Sequence, residues 1–335
     1  KAAAVRSSAT PKRPRGVGRR PRMVRGVRQL GANGPAVSAM GYGAWPLSDV
    51  GRPSEEVAVG VIHRAIDLGV TLIDTSDAYC VDDTEVHHNE RLVRRALESY
   101  RGAADPGRVV VATKGGIVRP GGRWELDTSP GHIAGAIAGS HEALSGRARP
   151  IQLWQVHSLR APGNSVGEML GPAADAIAAG AVARVGLCNC SVAQIAEAQR
   201  VLPAGALVSV QNEYSLWERA PERDGVLEYC EAQGLAFLPY GALGGRRARS
   251  GERSLRNAEL FPNVARAAER HGVSAEQVCL AWMLAKWPCI VHITSARSLA
   301  HLEDSLGAAD LALGAEEVAA IDGDGPDAAA PRRPG

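Results

Sequence analysis

An aspartate, a tyrosine, a lysine and a histidine stand at or just past the ends of successive apolar runs in this 335-residue chain. Asp74 closes Leu72-Ile73, Tyr79 follows in the next loop, Lys114 closes residues 109–113, and His157 closes residues 151–156. A phenol with an unperturbed pKa of about 10 donates protons slowly near neutrality unless a neighbouring cation stabilises the phenolate. Lys114 supplies such a cation, and Asp74 could hold it charged and in place. A neutral imidazole at His157 could hydrogen-bond a carbonyl oxygen and orient it. Each residue alone has a structural alternative: Asp74 as a turn cap, Tyr79 at a rim, Lys114 in an ordinary ion pair, His157 in a core. Their shared placement at successive run ends favours a single site that protonates an oxygen.

The elements that must position them can be read from the pattern. Short β-branched runs fall at residues 37–45, 71–74, 109–114, 151–157, 183–187, 207–210, 236–240 and 290–294. Helix-period segments alternate with them at residues 55–68, 89–100, 130–144, 166–179, 192–201, 226–233, 275–286 and 299–306. Gly69, Gly180, Gly234 and Gly272 follow helical patterns, where a left-handed residue ends a helix. Eight strand–helix alternations predict an α/β fold of the (β/α)8 TIM-barrel type as a single domain over residues 34–325, with its chemistry at the C-terminal strand ends. A doubly wound dinucleotide fold is the competitor, but it needs GxGxxG after the first strand and an acid about 20 residues on; Gly41-x-Gly43 alone does not supply this.

Composition bounds the class. With 45% apolar and 22% charged residues, and no run near the ~18 apolar residues of a membrane span, the chain reads as a soluble cytoplasmic enzyme without a membrane partner. The net charge of +2 conceals a basic start: the first 28 residues hold ten Lys and Arg and no acid, leaving 28 basic against 36 acidic residues. Residues 1–33 are expected to be a disordered basic leader and residues 326–335 a flexible tail. A nucleic-acid arm is the sharper alternative for the leader, but no aromatics interleave its charges. Arg19-Arg20 lacks the apolar segment an export signal requires. The six cysteines show no CxxC pairing and read as buried thiols in a reducing compartment. A metal-dependent hydrolase using Asp74, His157 and His87 or His88 is disfavoured, because Lys114 would compete as a cation among the ligands.

With Asp74, Tyr79, Lys114 and His157 in this order, the chain resembles the aldo-keto reductase superfamily. Similarity runs from about residue 34 to residue 320 and takes in Gly41-Tyr42-Gly43-Ala44-Trp45, His88-Asn89-Glu90-Arg91-Leu92, Gly186-Leu187-Cys188-Asn189, Val210-Gln211-Asn212-Glu213-Tyr214 and Leu302-Glu303-Asp304. The resemblance implies a barrel that binds extended NADPH without a Rossmann fold and reduces aldehydes or ketones. On that basis Tyr79 gives the proton, Lys114 and Asp74 adjust its acidity, and His157 positions the carbonyl.

The same resemblance implies a cofactor site of Gly43, Trp45, Cys188, Asn189, Gln211, Tyr240, Gly241, Leu243, Ser295, Arg297, His301 and Asp304. Asn189 and Gln211 fall where relatives bind the nicotinamide carboxamide, and Tyr240 where an aromatic stacks on the ring. Cys188 stands where relatives commonly have Ser, Ser295 at a usual Lys, and Ser305 at a frequent Asn. Arg297 and His301 are then the candidates for a 2′-phosphate, or Arg297 is a solvated helix-start residue; NADPH is the expected cofactor, with NADH as the alternative. Trp45, Trp124, Leu216 and Trp217 fall where the family builds its substrate pocket or simply packs the rim. Residues 246–260 read as a mobile loop over the cofactor or a solvated insertion. A barrel that binds the cofactor for regulation, as in potassium-channel beta subunits, is the second functional reading. The remaining partner is a small carbonyl or alcohol substrate.

Overall fold

In the computed structural model, which describes residues 24–245 and 254–326, eight parallel strands follow one another around a barrel. They are β1 (Met40–Gly43), β2 (Leu72–Asp74), β3 (Val110–Gly115), β4 (Leu153–Val156), β5 (Val185–Cys188), β6 (Leu207–Gln211), β7 (Ala236–Phe237) and β8 (His292–Thr294). Neighbours in sequence are neighbours in the sheet, β8 pairs with β1 through His292 and Met40, and a bridge between Phe237 and Ile290 joins the ends. The expected (β/α)8 architecture is the observed one. The expected leader and tail, and the mobile segment at residues 246–260, fall wholly or partly outside the described residues at 1–23, 327–335 and 246–253.

Side-chain alternation along each strand explains both layers of the core. Leu72, Val110, Ala112 and Leu153 belong to the central cluster with Val208, Leu238, Val291 and Ile293. Ile73, Val111, Trp154 and Val156 belong to the larger cluster shared with the helices. Because successive strand residues face opposite sides, Asp74, Lys114, Gln155 and His157 share the inward register of Leu72, Ala112 and Leu153. The residue pattern that builds the barrel therefore also delivers the polar group to its upper mouth.

The surrounding helices start where the sequence supplies a serine. Ser54, Ser129, Ser165, Ser191, Ser274 and Ser298 each accept a backbone N–H at the first turn of helices Glu55–Asp67, Pro130–Ser145, Val166–Ala178, Val192–Val201, Ala275–Lys286 and Leu299–Leu306. Such caps contribute about 1 kcal/mol each.

Two expectations about the amino-terminal region need correction. The run at residues 37–45 is not one strand: Ala36–Ser38 pairs antiparallel with Val27–Gln29, and the barrel strand begins separately at Met40. Residues 27–29 thus belong to the fold although they lie within the expected leader. The reason is that Leu30, which follows a basic stretch in the sequence, and Val37 are both buried in the central cluster. Arg28 adds a second anchor, donating to the carbonyls of Leu284 (2.7 Å) and Trp287 (2.8 Å) at the end of helix Ala275–Lys286. Arg28→Ala is expected to lower unfolding stability by about 2 kcal/mol, the scale of charge-assisted hydrogen bonds; an unchanged urea midpoint would show that the hairpin does not hold that end of the barrel.

Candidate active site

Lys114 reaches the top of β3 with its side chain fully buried, and its ammonium finds three partners: Asp74 Oδ1 at 2.6 Å, the Thr75 carbonyl at 2.9 Å and Tyr79 Oη at 2.8 Å. An ammonium has three hydrogens, so this set saturates it. The second Asp74 oxygen accepts from Gln211 Nε2 at 3.1 Å and Gln155 Nε2 at 3.3 Å. The carboxylate is therefore fixed from both sides. Burial pulls the Lys114 pKa down, but Asp74 and Tyr79 more than offset this and hold it above the ordinary lysine value.

Burial pushes the Tyr79 phenol up to about 12, with Lys114 pulling the other way and Asp74 adding to the rise. A phenol of lowered pKa was the expectation, and it needs correction: desolvation of the phenolate outweighs one cation whose charge is largely balanced by Asp74. Tyr79 is consequently a neutral donor throughout the physiological range. Since Lys114 donates to Tyr79 Oη, the phenolic hydrogen is left to point elsewhere.

His157 stands beside Tyr79 with ring centroids 5.9 Å apart, and Trp124 closes over both at 6.5 Å from each. Its Nδ1 faces Ser76 Oγ at 3.2 Å, so Nε2 is the nitrogen turned away from Ser76. Burial, and then the Lys114 charge, hold its pKa well below the ordinary histidine value. Proton NMR of the histidine rings is expected to show His157 still neutral at pH values where an ordinary histidine is already protonated; a titration near the ordinary value of about 6.5 would contradict the buried, cation-facing environment.

These groups form one end of a cavity of about 760 Å³, within the range of roughly 300–1,000 Å³ typical of ligand sites. Asp74, Tyr79 and His157 line it, while Lys114 sits directly behind Tyr79. Of the expected cofactor residues, Gly43, Trp45, Cys188, Asn189, Gln211, Tyr240, Gly241, Leu243 and Ser295 are on its wall. Tyr240 Oη donates to Asn189 Oδ1 at 2.8 Å, and Asn189 Nδ2 donates to the His157 carbonyl at 3.1 Å. This links the expected nicotinamide side of the cavity to the side that holds Tyr79 and His157. The buried Cys188 thiol lies 3.8 Å from Gln155 Oε1.

Three expected cofactor residues are elsewhere. Arg297 donates through Nε to the Pro46 carbonyl and through an Nη to the Val50 carbonyl, both at 3.1 Å, and so anchors the loop after β1. His301 is exposed in the first turn of its helix. Asp304 accepts from Ser274 Oγ at 2.7 Å and ties helix Leu299–Leu306 to helix Ala275–Lys286. None of the three lines the cavity. Spacing after β8 could not reveal this: it puts His301 and Asp304, three residues apart, on one face of helix Leu299–Leu306, but does not say whether that face meets the cavity or a neighbouring helix.

The structure also adds residues that the motifs did not single out. Gln155 could have been found from its inward register two positions before His157, whereas nothing local distinguishes Ser76. Thr294 Oγ1 is buried on the cavity wall and has no hydrogen-bond partner among the described residues. With the amides of Asn189 and Gln211, the Tyr240 ring and the turn at Gly241, Gly244 and Gly245, all three glycines at positive φ, this wall is chemically fitted to a nicotinamide nucleotide.

Comparison with known proteins agrees with this geometry. A family model described as the aldo/keto reductase family matches residues 39–324. An uncharacterized oxidoreductase of Schizosaccharomyces pombe is 32% identical over 295 residues, covering 86% of this chain and 87% of the relative. Pyridoxine 4-dehydrogenase of Escherichia coli is 31% identical over 304 residues, covering 86% of this chain and 95% of that protein. Among solved structures, an aldo/keto reductase of Klebsiella pneumoniae in complex with NADP and acetate shares the fold with a TM-score of 0.68 at 24% identity, covering 88% of this chain and 94% of that one.

Proposed function

The chain belongs to the aldo/keto reductase family, and from that premise we propose that it is an NADPH-dependent oxidoreductase interconverting aldehydes or ketones and alcohols. The observation that carries this reading is the position of Lys114 Nζ, 2.6 Å from Asp74 and 2.8 Å from Tyr79 Oη, with Tyr79 and His157 side by side on the cavity wall. The Klebsiella relative crystallised with NADP supports the choice of cofactor.

A reduced nicotinamide, when bound, supplies a hydride to the carbonyl carbon. Asn189, Gln211 and Tyr240 would hold its ring, and the Gly241–Gly245 turn the adjoining phosphates. Negative charge then develops on the carbonyl oxygen, and donors converging there lower the barrier. Tyr79 passes its proton to that oxygen while the Lys114 ammonium stabilises the phenolate left behind. Asp74 keeps the ammonium charged and immobile, and Gln155 and Gln211 keep Asp74 in place. His157 orients the carbonyl. Trp124 and Trp45 pack edge to face at 6.4 Å and shield this end from water. Alcohol oxidation runs through the same groups in reverse, and because Tyr79 holds its proton across the physiological range it requires the sparsely populated phenolate that Lys114 stabilises.

Loss of NADPH absorbance with a panel of aldehydes and ketones, alongside a cofactor-binding titration, tests the proposal. Carbonyl-dependent turnover is the expected result. Tight cofactor binding without turnover on any carbonyl or alcohol would overturn it and favour a regulatory barrel.

A further inference from the structure

The mechanism leaves one buried chain of polar groups without a role. Ser76, fully buried in the loop after β2, places its Oγ 3.2 Å from His157 Nδ1, 3.1 Å from Asp77 Oδ1, 3.1 Å from the Lys114 carbonyl and 3.2 Å from the Ala78 N–H. A hydroxyl has one hydrogen to give. The Ala78 N–H can only donate to it. The Lys114 carbonyl can only accept, and with two lone pairs it can take the Ser76 hydrogen besides the Asp77 N–H it accepts at 3.1 Å. The other two destinations are the ones that bear on His157.

If Ser76 donates to His157 Nδ1, the imidazole carries its own hydrogen on Nε2 and can donate to a carbonyl oxygen. Asp77 Oδ1, 3.1 Å from Ser76 Oγ, then makes a favourable contact only when it is protonated and donates. If Asp77 is ionised, Ser76 donates to it, His157 donates from Nδ1 to Ser76, and Nε2 is a bare acceptor suited to an alcohol hydroxyl. Between the two states the Asp77 proton moves to Ser76, the Ser76 proton to His157 Nδ1, and the Nε2 proton leaves through the cavity. One proton is lost overall and every group keeps its valence.

We propose that Ser76 and Asp77 are positioning residues that set the tautomer of His157, so that protonated Asp77 selects the carbonyl-binding form and ionised Asp77 the alcohol-binding form. This deepens the oxidoreductase reading and rests on it for its kinetic consequence. The surroundings of Asp77 suit the role. It is buried, with Glu90 and His87 facing it from the next helix and its cap, and His87 Nδ1 is itself held by Glu90 Oε2. Glu90 is in turn bonded to Thr113 on β3, and Lys114 is the charge that acts on the histidine end. Burial first, then Glu90, raise the Asp77 carboxyl to about 7, against His87 and the bonds from Ser76 and Ala78. The exchange between states thus falls near neutrality.

Two measurements test the proposal. Nitrogen NMR of the His157 ring, on the protein without cofactor or substrate, is expected to show a hydrogen on Nε2 below about pH 6 and on Nδ1 above about pH 8, bracketing the ordinary one-unit titration range. This outcome is independent of catalysis, so its failure would sink the relay while leaving the oxidoreductase reading intact. In kinetics, Ser76→Ala is expected to raise KM for the carbonyl by about tenfold, the scale of one lost hydrogen bond to substrate, with cofactor affinity retained. Ser76→Thr, which keeps the hydroxyl, is expected to restore KM. Asp77→Asn is expected to remove the fall in carbonyl kcat/KM between pH 6 and pH 8. A single tautomer at every pH, or a Ser76→Ala enzyme with wild-type KM and pH profile, would overturn the proposal.

Discussion

Tyr79→Phe is expected to lower carbonyl reduction by about a thousandfold, within the range of roughly 10²–10⁴ associated with a positioned general acid. The substitution removes one oxygen and keeps the ring that packs against Trp124 and His157. Cofactor affinity should change by no more than about twofold, because the loss falls on a contact made in the transition state. The phenol's pKa of about 12 strengthens this expectation. Over the working pH range Tyr79 always holds its proton, so reduction needs no separate protonation event to arm the acid. A Tyr79→Phe enzyme within tenfold of wild type at saturating cofactor would assign proton delivery to another group.

The second large effect concerns Lys114. Lys114→Met keeps a similar stem but removes the ammonium, and is expected to slow reduction by more than ~100-fold. It also leaves Asp74 as a buried carboxylate with only the two amide donors of Gln155 and Gln211. Breaking a buried pair in this way costs about 3–5 kcal/mol, because the surviving charge stays desolvated. Unfolding in urea is expected to show that loss. Adding Asp74→Asn to Lys114→Met should recover most of the stability, since neither position of the pair then carries a buried charge, but none of the rate. That split separates the catalytic role of the cation from its structural one. Parallel recovery of both would mean that Lys114 acts only by holding the fold together.

The barrel and the polar cluster at its mouth were legible in the chain for the same physical reason. A residue at a strand end in inward register belongs to the mouth of the barrel, and Asp74, Lys114 and His157 all stand in that position. Cooperation between loops was less visible. Ser76 becomes informative only when β2 and β4 bring it to His157 across an intervening strand. Arg297 and Asp304 have chemistry suited to a nucleotide, yet the structure directs Arg297 to the carbonyls of Pro46 and Val50 and Asp304 to Ser274. Sequence reports which donors exist; burial and geometry decide which are already engaged. Leu30 makes the converse point, since an apolar side chain within a basic stretch is, with Val37, part of what packs the amino-terminal hairpin into the central cluster.

The central claim is that the proton reaching the substrate oxygen comes from the Lys114-supported hydroxyl of Tyr79. It is tested most directly by single-turnover oxidation of bound NADPH on mixing with an aldehyde, in light and heavy water, for wild type and Tyr79→Phe. The expected result is a solvent isotope effect in the wild type, with turnover in the variant slowed by about a thousandfold. Equal single-turnover rates in the two proteins would contradict the claim.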